Sequence, residues 1–151
     1  MELSRYTKFF LMLLCSGLSM YLTMYFNTYE LDHVFFSITR LYMTLIGMAG
    51  MALIMFLFMK SMYTSKRKNR MIVGLSLMTM GVCTFLVRTQ KPIGDIGWMK
   101  AMIPHHSIAI LTSERAAIKD PEVKELSNEI IKAQKKEIAQ MKKMIERLES
   151  N

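Results

Sequence analysis

Two thioethers and two adjacent imidazoles fall within residues 98–106 (W-M-K-A-M-I-P-H-H), in a chain with only three histidines. On a helix, Met99, Met102 and His106 are spaced by three and four residues and share one face. His105 sits about 100° further round the axis, still within reach of a common site. Soft sulfur beside imidazole suits a thiophilic metal, copper(I) first, with silver or zinc as alternatives. Taken singly, a Met at helical spacing or a His on an apolar face is a core residue; the combination points to metal.

A helix must carry these residues, and a second must complete the site. Asp95 is placed as the N-cap of a helix running to about Lys119. Pro104, lacking an N–H, is expected to kink it just before His105. Then K-D-P-E-V supplies a cap (Asp120), Pro121 at the first helical position, and Glu122 near the positive end of the dipole. That second helix is expected to reach about Leu148, its apolar stripe being Val123, Leu126, Ile130, Ile138, Met141, Ile145 and Leu148. Gln134 interrupts the stripe and Glu137 borders it. With a turn near Asp120, positions equally far from it pair, so His106 meets Gln134, and Met99 and Met102 meet Met141 and Glu137. The expected site therefore joins Met99, Met102, His105, His106, Gln134, Glu137 and Met141.

The composition before this segment is different. The long apolar runs lie before residue 90, and three of them have spanning length: 9–29, 41–59 and 71–87. The first lacks a small-residue cleavage site and reads as a retained helix rather than a signal peptide. The net charge of +8 is concentrated there, with nine Lys/Arg against three Asp/Glu before Lys91 and eleven against nine from Lys91 onward. Lys60, Lys66, Arg67, Lys68 and Arg70 between the second and third runs, with Arg5 and Lys8, place the N-terminus in the cytoplasm and the C-terminal segment outside. The expected location is a bacterial cytoplasmic (inner) membrane, with the hairpin on its periplasmic or extracellular face. No basic patch interleaved with aromatics appears, so no nucleic-acid partner is expected; the first partner is the lipid bilayer.

The expected domains are 1–89 in the membrane, a linker 90–97, and the hairpin 98–151. In the second run Met48, Met51, Met55, Met59 and Met62 form a stripe, read as gap-filling between packed helices with Gly47 and Gly50 allowing close approach. Cys15 and Cys83 lie in apolar runs without a C-x-x-C and read as small buried residues. His33, in the first outer loop, reads as an exposed loop histidine.

M-I-P-H-H-S-I-A-I-L-T-S-E, then D-P-E-V, then E-I-I-x-x-Q-x-x-E-I-x-x-M, over roughly residues 95–148, resembles domain-of-unknown-function family 305. The resemblance implies an all-α, ferritin-like helical fold and an association with copper binding and resistance. It implies one ligand that spacing alone does not select, Glu114, and matches Met99, Met102, His105, His106, Gln134, Glu137 and Met141 position by position. Many members have two hairpins or no membrane anchor; this chain resembles the subgroup with three spans before a single hairpin. A lone hairpin buries too little surface to stand alone, so a homodimer completing a four-helix bundle is expected.

The expected function is a membrane-anchored extracytoplasmic copper(I) protein, for sequestration or for handover to a copper transporter or chaperone partner. The alternative is a structural or interaction module of the cell envelope, with the Met/His cluster as core. No enzyme is expected: H-E-x-x-H, a nucleophilic triad and a phosphate-binding glycine loop are all missing from the sequence.

Overall fold

A computed structural model describes residues 4–150. Among these the chain is all-α, with five long helices: α1 Arg5–Thr23, α2 Ile38–Met59, α3 Lys66–Thr89, α4 Asp95–Arg115 and α5 Pro121–Glu149. Two short 3-10 turns, Leu31–His33 and Lys60–Met62, interrupt the connections. The helices divide into two compact units, one ending at Met24 and resuming over Thr39–Pro92, the other made of Tyr25–Ile38 and Ile93 onward. The boundary expected near residue 89 is thus crossed by one segment: the loop Tyr25–Ile38 groups with the hairpin rather than with the apolar helices.

In the first unit, α2 with its following turn (Ile38–Met62) and α3 are long and apolar enough to cross a membrane. The first expected span, 9–29, is helical over only part of its length. Its helix ends at Thr23, and Lys8 occupies its first turns. The uncharged part is about 22 Å long at 1.5 Å per residue, short of the roughly 30 Å hydrocarbon layer. Phe9, Leu13, Ala52, Tyr63 and Ile72 make the core of this unit. Met48, Met51, Met55 and Met59 pack against that core, as the gap-filling reading of the stripe expects, whereas Met62 is largely exposed. Glycine makes the α1–α2 contact possible: a Cβ on Gly17 would lie 2.2 Å from the Met48 sulfur, and one on Gly47 would lie 2.8 Å from the Met20 methyl. Of the two cysteines, Cys83 is buried as expected and Cys15 is exposed.

The second unit is the hairpin with the loop laid on it. Met99, Ile103, Ile110, Ile138, Met141 and Ile145 form its core, flanked by Met102, Ile131, Tyr29 and Phe35. The turn register is the symmetrical one: Ser127 Oγ donates to the Ser113 carbonyl at 3.0 Å, seven residues either side of Asp120. Asp120 caps α5, accepting from the Glu122 and Val123 N–H groups at 3.0 Å each, with Pro121 at the first position. Other boundaries differ from expectation. Gly94 is the N-cap of α4 and Asp95 its first helical residue, with no side-chain cap bond. The helix stops at Arg115, because Ala116 turns extended, and it runs without interruption through Pro104 where a break was expected. Val123 and Leu126, expected in the buried stripe, are 50% and 55% exposed.

Replacing Asp120 by Ala removes two bonds to first-turn donors and should lower the local stability of the α5 N-terminus by about 1 kcal/mol. Hydrogen exchange at Glu122 and Val123 should then run roughly fivefold faster, while exchange at Ile138 stays unchanged.

Candidate metal centre

The hairpin brings the two expected halves of the site onto facing helices. Met99 and Met141 share one buried core, 4% and 6% exposed, and Met102 packs against it. One turn along α4 from Met102, the His106 Nε2 lies 3.2 Å from Glu137 Oε2 on α5. Pairing about Asp120 therefore holds to within one helical turn, which is what two antiparallel helices with a tight connection require.

The electrostatics of His106 identify its free donor. A carboxylate beside Nε2 favours a proton on that nitrogen, which leaves the lone pair on Nδ1. That Nδ1 is buried and has no hydrogen-bond partner; the same holds for the Gln134 Oε1 on α5. An unmet buried polar atom costs about 1–3 kcal/mol, so each of the two would gain from a ligand or a water. Burial pushes the His106 pKa below 6.5, against the opposing charge of Glu137 and the Met102 backbone, and helped by the neighbouring His105. The imidazole is thus held neutral, the form that ligates.

The remaining expected ligands lie elsewhere. His105 is exposed, its ring centroid 6.2 Å from that of His106 and tilted by 65°. Glu137 contacts the imidazole and so orients it from outside any metal, in the manner of carboxylate–histidine pairs. Glu114 stands apart: its Oε1 accepts from the Tyr29 hydroxyl at 3.1 Å and lies 3.9 Å from Lys135 Nζ. The structure therefore gathers Met99, Met102 and Met141 in one core, with His106 one turn along α4 from Met102 and Gln134 on the facing helix.

His33 is not an exposed loop histidine; it is 6% exposed. Its Nδ1 lies 2.9 Å from Ser107 Oγ, which also accepts the Tyr29 N–H at 2.7 Å. Burial lowers the His33 pKa, with Lys142 acting in the same direction and Asp32 and Glu30 opposing. Lys142 Nζ in turn donates to Asp32 Oδ2. Among the described residues, the cluster of three His/carboxylate donors within 4.8 Å of one another is Glu30, Asp32 and His33, not the His105–His106 pair. The only sequence signal was the local E-x-D-H string, which by itself fits any polar loop.

Residues 59–151 match the family model described as Domain of unknown function (DUF305). An uncharacterized protein of Acanthamoeba polyphaga mimivirus is 32% identical over 107 residues, covering 70% of this chain and 68% of the viral one. No solved structure matches.

The buried His33 and the partly buried His106 both have folded pKa values below 6.5. The unfolded chain then binds more protons, so stability is fully present above about pH 6.5 and is lost as the pH falls through the folded values. The unfolding midpoint of the hairpin should drop on acidification below pH 6.5, and His106→Gln should flatten that dependence. In Glu137→Gln, where the carboxylate charge is lost, the His106 titration followed by imidazole NMR should move to still lower pH.

Proposed function

The chain belongs to the family described as Domain of unknown function (DUF305), and from that premise we propose that it is a membrane-anchored copper(I)-binding protein, with the metal held between α4 and α5. The observation that carries this reading is the buried His106 Nδ1 without a hydrogen-bond partner, one turn along α4 from Met102, which packs against the core holding Met99 and Met141. Two or three thioethers and one neutral imidazole form a soft, low-charge donor set that favours copper(I) over zinc. Gln134 Oε1 is too hard to bind copper(I) strongly and serves as an acceptor for a water or a ligand N–H at the rim. The binding step needs no chemistry beyond this, so the function is sequestration, or handover to a transporter or chaperone.

The anchor follows from α2 and α3, which are apolar and yet turn their side chains outward: Phe58 is 82% exposed, and Met71 and Phe85 are 63% and 62% exposed. That pattern fits helices whose solvent is lipid. With α1 as a third, shorter span and the basic loop in the cytoplasm, the hairpin lies on the outer face of a cytoplasmic membrane. A short span of this kind is accommodated by bilayer thinning and by its flanking Arg5 and Lys8. The half-exposed Val123, Leu126 and Met144 on α5 then form the seam of a homodimer, two hairpins making one four-helix bundle.

The same exposed seam favours the second reading, a docking module that binds an envelope partner without metal. Copper(I) competition against bicinchoninate separates the two. The wild-type protein should hold copper(I) at neutral pH and His105→Ala/His106→Ala should lose it with helicity intact; equal retention by both proteins rejects the copper reading. In light scattering of the detergent-solubilised chain, a monomer with an intact helical hairpin would reject the dimer.

A further inference from the structure

We propose that the groove between the N-terminal ends of α1 and α3 binds one anionic phospholipid, with its phosphate at Arg67 and Lys68 and an acyl chain lying along α3. The cavity measures about 880 Å³, is lined by both helices, and lies wholly within the apolar unit. The proposal rests on the membrane-anchored reading and is independent of copper.

The groove is polar at one end and apolar along its length. On α3, Arg67, Met71, Gly74 and Met78 follow one another at spacings of four, three and four, so they share one face. Gly74 leaves that face hollow: a Cβ there would meet nothing within 4 Å. Phe10 on α1, with Met71, Leu75 and Met78, forms the apolar wall, and each is more than half exposed. From Arg67 to Met78 is about 16 Å at 1.5 Å per residue, roughly half the thickness of the hydrocarbon layer. That is the depth of one leaflet, so a chain entering from the polar mouth meets apolar side chains to its end.

Tyr6 fixes the mouth. Its hydroxyl accepts the Ser65 N–H at 3.0 Å and donates to Asn69 Oδ1 at 2.9 Å, tying the start of α1 to the start of α3. Lys68 Nζ lies 4.9 Å from the centroid of the Tyr6 ring, so the ammonium is held at the groove rather than sweeping through solvent. Arg67 stands next to it in the lining, and neither cation has a carboxylate to neutralise it: the described residues of this unit include no Asp or Glu. Two cations above an exposed apolar wall are complementary to a phosphate carried on a hydrocarbon chain. A soluble anion would leave the wall uncovered, and a lipid without net charge would leave excess positive charge at the mouth.

The test uses the full chain. Retention in membranes washed with alkaline carbonate checks the anchor alone, and release would overturn the anchor and this proposal together. For the retained chain, solubilised in detergent, native mass spectrometry should show one phosphatidylglycerol bound about tenfold more tightly than phosphatidylcholine of the same acyl chains. Arg67→Gln and Lys68→Gln should each cost about fivefold for phosphatidylglycerol and little for phosphatidylcholine. Arg88→Gln, which removes an exposed cation at the other end of α3, should cost nothing. Gly74→Leu, which fills the hollow face, should weaken both lipids. Equal affinity for the two lipids, or an equal loss in all three charge variants, would overturn the lipid site and leave the anchor standing. So would a Gly74→Leu chain that splits a dimer while its bound lipid is unchanged, which would make the groove a contact between two copies.

Discussion

The loop-and-hairpin unit depends on one buried hydroxyl. Ser107 sits fully buried on α4 and collects two groups of the loop Tyr25–Ile38, the Tyr29 N–H and the His33 imidazole. Without that oxygen both would be buried without a partner, each at a cost of about 1–3 kcal/mol. With it, Tyr29 and Phe35 lie against the hairpin core and extend an apolar interior that two helices alone leave open on one side. The loop thus acts as a third element of the unit, tied again by Lys142 to Asp32 and by Tyr29 to Glu114.

Much of the hairpin was legible in the sequence because its determinants are local. The D-P-E start of α5 is a cap, a pre-set φ and a favourable charge in three consecutive residues, and the helix begins there. Symmetry about Asp120 then sets which residues face each other: Ser113–Ser127 follows it, and His106 meets Glu137 one helical turn beyond the expected Gln134. Pro104 shows where a local rule yields: a missing N–H removes one bond, but the fully buried ring and the flanking Ile103 and Ser107 hold the helix continuous. The burial of His33 was not legible, since it depends on Ser107, 74 residues away in the chain. Nor was the place of Glu114, whose partners Tyr29 and Lys135 come from two other elements.

The apolar unit follows a different packing logic. Its stripe of methionines meets glycines, with Met48 over Gly17 and Met20 over Gly47, so that each helix offers a flexible side chain where the other offers none. In a lipid environment no hydrophobic gain separates a helix–helix contact from a helix–lipid one, and close van der Waals fit is what remains. Spacing alone showed the stripe but not its targets, because Gly17 and Met20 lie on another helix.

Thioethers that bind a soft metal are also the side chains most easily converted to sulfoxides. Met99 and Met141 are sealed in the core at 4% and 6% exposure, whereas Met144, one turn from Met141's end of α5, is 47% exposed. An oxidant arriving from solvent therefore meets Met144 first, and a polar sulfoxide there lands on a surface that already tolerates water. The same change at Met99 or Met141 would put a strong dipole among Ile103, Ile138 and Ile145. The burial that holds these two sulfurs in place also shields them, making the outer methionine a sacrificial neighbour of the inner pair.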